Sequence, residues 1–322
     1  MSRFCWCFLL TLLVVIATQS TAQGQPLVAE SDPLTPEQQR AKFHLPDGFE
    51  IQLVASEPTI GQPMNLNFDA AGRLWATSSV EYPYPTAGPN VQDRDPRFGT
   101  PSPHPPQDWV MVFSGIGIDG KPAKASRFVE GLNIPIGIVP LPDGALVYSI
   151  PNIQRLTEAK GETKSESATS LYGPFGNVDT HGMTNSFTRW VDGWIYACHG
   201  FRNDSSVVGK DGHRVTINSG NTLRFREDGS RIEQWSHGQV NPFGMTFDPY
   251  GNLYNADCHS MPVTCVLRGG YYQSFGKPHD GLGFAPDMID HNHGSTGICG
   301  VAWYAAPRFP SDFQENLFIT IR

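Results

Sequence analysis

The chain is short of charge, and of positive charge above all. Only 17% of its 322 residues are charged, and 23 Lys and Arg face 31 Asp and Glu for a net charge of −8. Such a surface offers no field for phosphate backbones or anionic lipid, so nucleic acid is excluded as a partner. Long apolar runs are equally scarce. The longest, Phe4–Ala17, falls short of the roughly 20 residues that a helical membrane span requires. There are six cysteines and no Cys-x-x-Cys-His, so this chain has no motif for attaching haem covalently.

What it has instead is 33 glycines and 27 prolines beside 39% hydrophobic residues. That mixture builds many short strands joined by tight turns around a substantial core, and it argues against a helical bundle. The expected fold is all-β. Residues 1–22 read as a signal peptide: Arg3 gives a positive start, Phe4–Ala17 the apolar stretch, and Ser20-Thr21-Ala22 the small residues that signal peptidase needs. An uncleaved anchor is the weaker alternative. Export to the periplasm or the extracellular space follows, and cleavage would leave Cys198, Cys258, Cys265 and Cys299 in an oxidising compartment. Cys258 and Cys265 are close enough in sequence to close a local loop. Residues 23–42, polar and proline-bearing, are expected to be a flexible lead-in, with the folded domain at 43–322.

One pattern recurs along that domain: an apolar strand, an Asp/Gly turn and a second strand rich in Leu, Ile or aromatics. It occurs at 63–79, 135–150, 181–200, 241–260 and, less faithfully, 297–321. Each copy reads as a β-hairpin. The turn glycines Gly72, Gly144, Gly193 and Gly251 fall at the period of four-stranded propeller blades with long loops. A β-propeller is therefore expected, with about five blades here and six in the complete protein; a β-sandwich with chance Asp-Gly turns is the alternative. Phe43–Ala55 reads as an outer strand of the last blade, and the chain as a C-terminally truncated piece of a longer protein. The eight prolines within 82–108 forbid ladder strands and predict a rim loop that acts as a lid or strap. Residues 161–170 are polar enough to read as a surface excursion.

In an antiparallel hairpin, the start of the first strand and the end of the second share one mouth. The repeat thus gathers His181, Cys198, His199, Arg202 and Asn203 from the third hairpin with Asn241, Asp257, Cys258 and His259 from the fourth, near Asp290-His-Asn-His293. Thiol and imidazole groups of this kind suit zinc, copper or iron, which makes Cys198, Cys258, His291 and His293 candidate metal ligands. The alternative is that the cysteines are small buried residues or disulfide partners. Asn203-Asp-Ser205 matches a glycosylation sequon, and Trp75, Trp194 and Trp303 fall inside strands as packing residues.

The segments HGMTNSFTRWVDGWIYACHGFRN, HGQVNPFGMTFDPYGNLYNADC and STGICGVAWYAAPRFP resemble the soluble quinoprotein glucose/sorbosone dehydrogenases. With FHLPDGFEIQLVASEP they resemble more closely the membrane-bound dehydrogenase domain of secreted proteins abundant in planctomycete-type bacteria. The resemblance implies a six-bladed ring holding pyrroloquinoline quinone (PQQ) and calcium, and oxidation of a sugar or related alcohol. It makes His181 the base, with Arg202 and Asn241 beside it and His199, Asn203, Asp257 and His259 around the cofactor. It also implies a c-type cytochrome domain as electron-transfer partner. One position departs: Val240 stands where those enzymes carry an Arg that stabilises quinone charge, which apolar Val cannot do. That departure favours the alternative of a non-catalytic propeller that binds glycans or proteins.

Overall fold

A computed structural model of the chain describes residues 32–92, 101–258, 263–289 and 297–321. The proposed signal peptide, His259, His291 and His293 lie outside the described residues. Contacts divide the chain into two units, 1–44 and 45–322. In the first, the expected flexible lead-in contains a short helix, α1 (Pro36–Arg40). Its cause is local: Thr35 and Gln38 form a reciprocal capping box, and Pro36 opens the first turn with its φ already helical.

The second unit is a β-propeller. Its first sheet is β1 (Gln62–Phe68), β2 (Leu74–Ser79), β3 (Asp108–Ile116) and β4 (Pro122–Leu132); its second is β5 (Gly137–Leu141), β6 (Gly144–Ser149), β7 (Asn152–Glu158) and β8 (Ser165–Tyr172). The third joins β9 (Thr184–Arg189) and β10 (Ile195–His199) to β13 (Asn221–Phe225) and β14 (Ile232–His237), with a hairpin of β11 (Asp204–Val208) and β12 (Arg214–Asn218) inserted between β10 and β13. A three-stranded sheet follows, β15 (Asn241–Phe247), β16 (Leu253–Cys258) and β17 (Val263–Cys265), and then a two-stranded one, β18 (Ile298–Tyr304) and β19 (Asn316–Ile321). The first strands of successive sheets lie side by side, β1 by β5, β5 by β9, β9 by β15 and β15 by β18. Among the described residues, then, four blades have three or four strands and a fifth is a hairpin.

The recurring Asp/Gly turn has one physical basis. Asp69 Oδ1 accepts from the N–H of Ala71 and Arg73, Asp248 Oδ1 from those of Tyr250 and Asn252, and Asp192 Oδ1 from that of Trp194. Each carboxylate satisfies the turn while a glycine at positive φ, Gly72 or Gly251, reverses the chain.

Blades pack face to face, so the core is divided among the blade interfaces. Trp75, Val110, Val112 and Phe128 meet Ile138 and Val147 between the first two blades; Ile136, Tyr148 and Phe175 meet Phe187, Leu223 and Phe225 between the second and third; Tyr196 and Cys198 meet Met245 and Phe247 between the third and fourth. Inner strands covered on both faces read as continuous apolar runs, as in Trp109–Phe113. On the third blade, Arg224 is stacked between Trp194 and Trp235, its ζ-carbon 4.2 and 5.0 Å from their ring centroids, and bonds Glu233 at 2.7 Å.

Three expectations are corrected. The polar stretch at 161–170 includes most of β8, the outermost strand of its blade, where both faces are largely solvated and Ser and Thr suffice. The part of the expected outer strand within this unit, residues 45–55, belongs to no ladder. It spans instead two blades: the Phe49 ring meets Phe309 and Phe313, Gln52 Nε2 donates to Ile118 O, and Val54 and Ala55 cover the first blade's far face at Trp109 and Met111. Finally, Cys265 is a free thiol, so the Cys258–Cys265 link is not made.

The first strands of the five blades, β1, β5, β9, β15 and β18, together with β19, line a cavity of about 1380 Å³, with Leu66, Phe68, Phe243, Val301, Phe318 and Ile319 among its walls. Leu66 and Phe68 are 59% and 62% exposed there.

Candidate active site

The chemistry-bearing residues lie where β9 and β15 begin and β10 and β16 end. Asp179 and Gly182 close a turn that carries His181 in front of β9. His181 Nδ1 lies 2.9 Å from Asp179 Oδ1, which also accepts from the His181 backbone N–H at 3.0 Å. An ionised carboxylate only accepts, so Nδ1 bears the proton and Nε2 is left as the basic nitrogen. Burial pushes the Asp179 carboxyl up, but its hydrogen bonds to His181 and the nearby His181 and Arg202 charges outweigh this and hold it below its ordinary value. The imidazole is 43% exposed while Asp179 is buried.

Asn203 pins the backbone of Asp179 from behind. Its Oδ1 accepts from Asp179 N at 3.0 Å and its Nδ2 donates to Asp179 O at 2.8 Å. Asn203 is fully buried, so its sequon is inaccessible in the fold. Asn241 accepts from Phe201 N at 3.1 Å, and Asp257 takes the backbone N–H of Val240 and Asn241 on its two oxygens at 3.1 and 2.6 Å. Space is tight: a Cβ on Gly182 would sit 2.0 Å from Phe201 O, and one on Gly200 2.1 Å from Asn241 Oδ1. Arg202 is exposed, with φ of 62°. The mouth therefore brings His181, Arg202, Asn203, Asn241 and Asp257 together.

Two candidates serve the scaffold instead. His199 is fully buried; its Nδ1 donates to Ser219 O at 2.8 Å and its Nε2 accepts from Ser205 Oγ at 2.7 Å, leaving nothing for a cofactor. Cys198 is fully buried, its thiol pushed up by burial and then by the Asp257 charge, and its Sγ lies 4.0 Å from Gly244 O. Burial followed by the Asp257 and Cys299 charges also raises the half-buried Cys258. Among the described residues no three His, Cys, Asp or Glu side chains converge as a metal site.

The described arms of the proline-rich segment, residues 82–92 and 101–108, form a strap at this mouth. The Tyr82 ring stands edge-on to His181 with centroids 5.6 Å apart, and Thr180 Oγ1 donates to Pro83 O. Thr86 and Asn133 exchange two hydrogen bonds, and Asn177 is clasped by Gln92 and Asn90. Asp179 and Tyr82 are the functional side chains that the repeat did not point to. An Asp two residues before the candidate base was the available signal for the first; nothing local marks the second.

The model of a family described as a domain of unknown function, DUF7133, matches residues 35–321. No curated protein matches the chain. Among solved structures, the PQQ domain of pyranose dehydrogenase from Coprinopsis cinerea aligns at 13% identity and a TM-score of 0.38, over 68% of this chain and 47% of that one. The match thus spans under half of that domain. The apo soluble aldose sugar dehydrogenase of Escherichia coli aligns at 16% identity and 0.32, over 58% and 80% of the two chains. Virginiamycin B lyase from Staphylococcus aureus aligns at 13% and 0.37, over 67% and 69%. These likenesses are of fold, and a propeller by itself selects no reaction.

Proposed function

The chain belongs to the DUF7133 family, a domain of unknown function, and we propose that its strapped mouth oxidises a hydroxyl of a carbohydrate-like alcohol with His181 as base. The observation that carries this reading is the 2.9 Å contact of His181 Nδ1 with Asp179 on a half-exposed ring. Asp179 holds the tautomer in which Nε2 accepts the hydroxyl proton, and it stabilises the imidazolium that forms. Asn203 keeps Asp179 in place through both its amide atoms. Tyr82 walls the imidazole from one side and limits water beside it.

The carbon that loses its hydroxyl proton must also give up hydride, and a bound quinone of the PQQ type supplies that acceptor. The fit of this chain to such a polyanion is set by its cations. Val240 is buried and contributes only a backbone N–H. Arg202 beside Asp179 and Lys277, whose ammonium bonds Asn218 on the inserted hairpin, are the residues that would hold the cofactor's carboxylates. Calcium belongs to the proposal only through the sequence resemblance, since Asp179 and Asp257 already accept protein N–H groups. Export, supported by the leader pattern of residues 1–22, and an electron-accepting protein partner complete the reading.

The test is dye reduction by the full chain with a panel of sugars after adding PQQ and calcium, alongside a titration of quinone absorbance. Stoichiometric quinone binding with activity lost in His181→Ala is the expected result. Glycan binding without quinone binding would make this a recognition module and overturn the assignment.

A further inference from the structure

The strap is rooted by two carboxylates that grip each other's strand. Glu81, at its start, accepts the backbone N–H of Gln107 on Oε1 at 2.8 Å; Asp108, at its end, accepts that of Val80 on Oδ1 at 2.7 Å. Asp108 Oδ2 also takes Ser79 Oγ at 2.7 Å and the N–H of Ile134 at 2.9 Å, and Ser79 Oγ in turn accepts from Tyr82 N at 2.9 Å. Every oxygen of the clasp is thus engaged except one. Glu81 Oε2 is buried and has no hydrogen-bond partner among the described residues, in a side chain whose residue is only 7% exposed. A carboxylate left that way costs far more than a neutral carboxyl does.

We propose that Glu81 and Asp108 form a proton-operated latch for the strap, tight while Glu81 is neutral and loosened once it ionises, and that Glu81 thereby positions Tyr82 against His181. The charged and titratable groups facing Glu81 are Asp108 at the start of β3, which opposes ionisation, and His104 on the returning arm of the strap, with Nδ1 3.7 Å from Glu81 Oε1, which favours it. Burial dominates, followed by Asp108, and raises Glu81 to about 7. The sign follows. With the strap open, Glu81 ionises in the ordinary carboxylate range, while in the closed clasp it keeps its proton to near neutrality. Opening therefore becomes easier as pH rises from about 4.5 towards 7 and levels off above. The ring on His181 belongs to Tyr82, the residue directly after Glu81, so the wall beside the base is set by the same proton. Only this last consequence rests on His181 being the base.

Hydrogen exchange of strap amides in 81–92 and 101–107, corrected for the chemical rate, is the direct readout in the full chain, and it needs neither cofactor nor substrate. Between pH 5 and pH 7 it is expected to accelerate at least about tenfold, with no such dependence in Glu81→Gln, which keeps an acceptor and cannot ionise. The carbon-13 shift of the Glu81 carboxyl in the unmodified chain follows the same event without any variant and should titrate near neutrality. A midpoint in the ordinary carboxylate range, strap exchange that does not follow pH, or a pH dependence that survives in Glu81→Gln would overturn the latch. An intact latch in a chain that shows no alcohol oxidation would refute the proposed function alone.

Discussion

Asp179 stands two residues before His181 and takes both its ring Nδ1–H and its backbone N–H on one oxygen, Oδ1. The carboxylate thus fixes the direction of the ring as well as its tautomer. Asp179→Asn is expected to lower kcat by about 10²–10⁴-fold, the range of a positioned base, with KM changed far less. Steady-state kinetics on the quinone-loaded chain decide it; a loss confined to KM would mean that Asp179 serves binding only.

His199 predicts how the fold responds to acid. Burial is the main cause that pushes it down to about 4, and in the neutral ring Nε2 accepts from Ser205. The unfolded chain binds a proton below its ordinary value and the folded chain does not. Stability is therefore full above about 6.5 and falls as pH drops towards 4, by on the order of 3 kcal/mol. Glu81 acts oppositely over an overlapping range. The check is the difference in urea midpoint against pH between the parent chain and His199→Gln, in which the acid slope should disappear.

Gly200 has no room for a side chain, since a Cβ would meet Asn241 Oδ1 at 2.1 Å. Gly200→Ala should push Asn241 off Phe201 N and cost about 1–3 kcal/mol, as overpacking of a tight site does. Thermal denaturation measures the cost; an unchanged Tm would mean that the turn after β10 yields freely.

Arg224 joins three aromatic rings to two acids on the third blade, with Asp192 3.6 Å and Glu233 2.7 Å away. Arg224→Met keeps the stem but drops the guanidinium, and should destabilise by roughly 2–4 kcal/mol, more than an exposed ion pair would. A change below 0.5 kcal/mol would show that stem packing does the stabilising.

The open side of the first blade presents Leu66 and Phe68 to a cavity whose opposite wall includes Phe318 and Ile319. Apolar surface of this kind drives association. The chain is expected to self-associate with concentration in sedimentation velocity, and Leu66→Lys with Phe68→Glu to suppress this without lowering Tm. Concentration-independent sedimentation of the parent chain would contradict it.

What the sequence determined by itself is the set of features whose physics is local. Asp-Gly turns close on their own backbone N–H groups, as at Asp69 and Asp248, and the spacing of such turns is the blade period. Runs such as Trp109–Phe113 announce strands covered on two faces. The same rules placed His181, Arg202, Asn203, Asn241 and Asp257 at one mouth, because hairpin ends must meet there. They misjudged β8, which lies outermost and needs no apolar residues, and the 45–55 segment, whose strand-like composition found no ladder. Tertiary structure alone decided which mouth residues face solvent and which serve the scaffold. His199 and His181 are both histidines at strand ends, and only packing separates the buried one, with both nitrogens engaged, from the exposed one held by Asp179. The strap was legible as a loop from its prolines, but its course was not. Gln92 reaches Asn177 across 85 positions, and Glu81 loses its solvent only when Gln107 and Asp108 fold back over it. Contacts between residues so far apart have no periodicity to announce them, because they arise from the shape of the assembled blades.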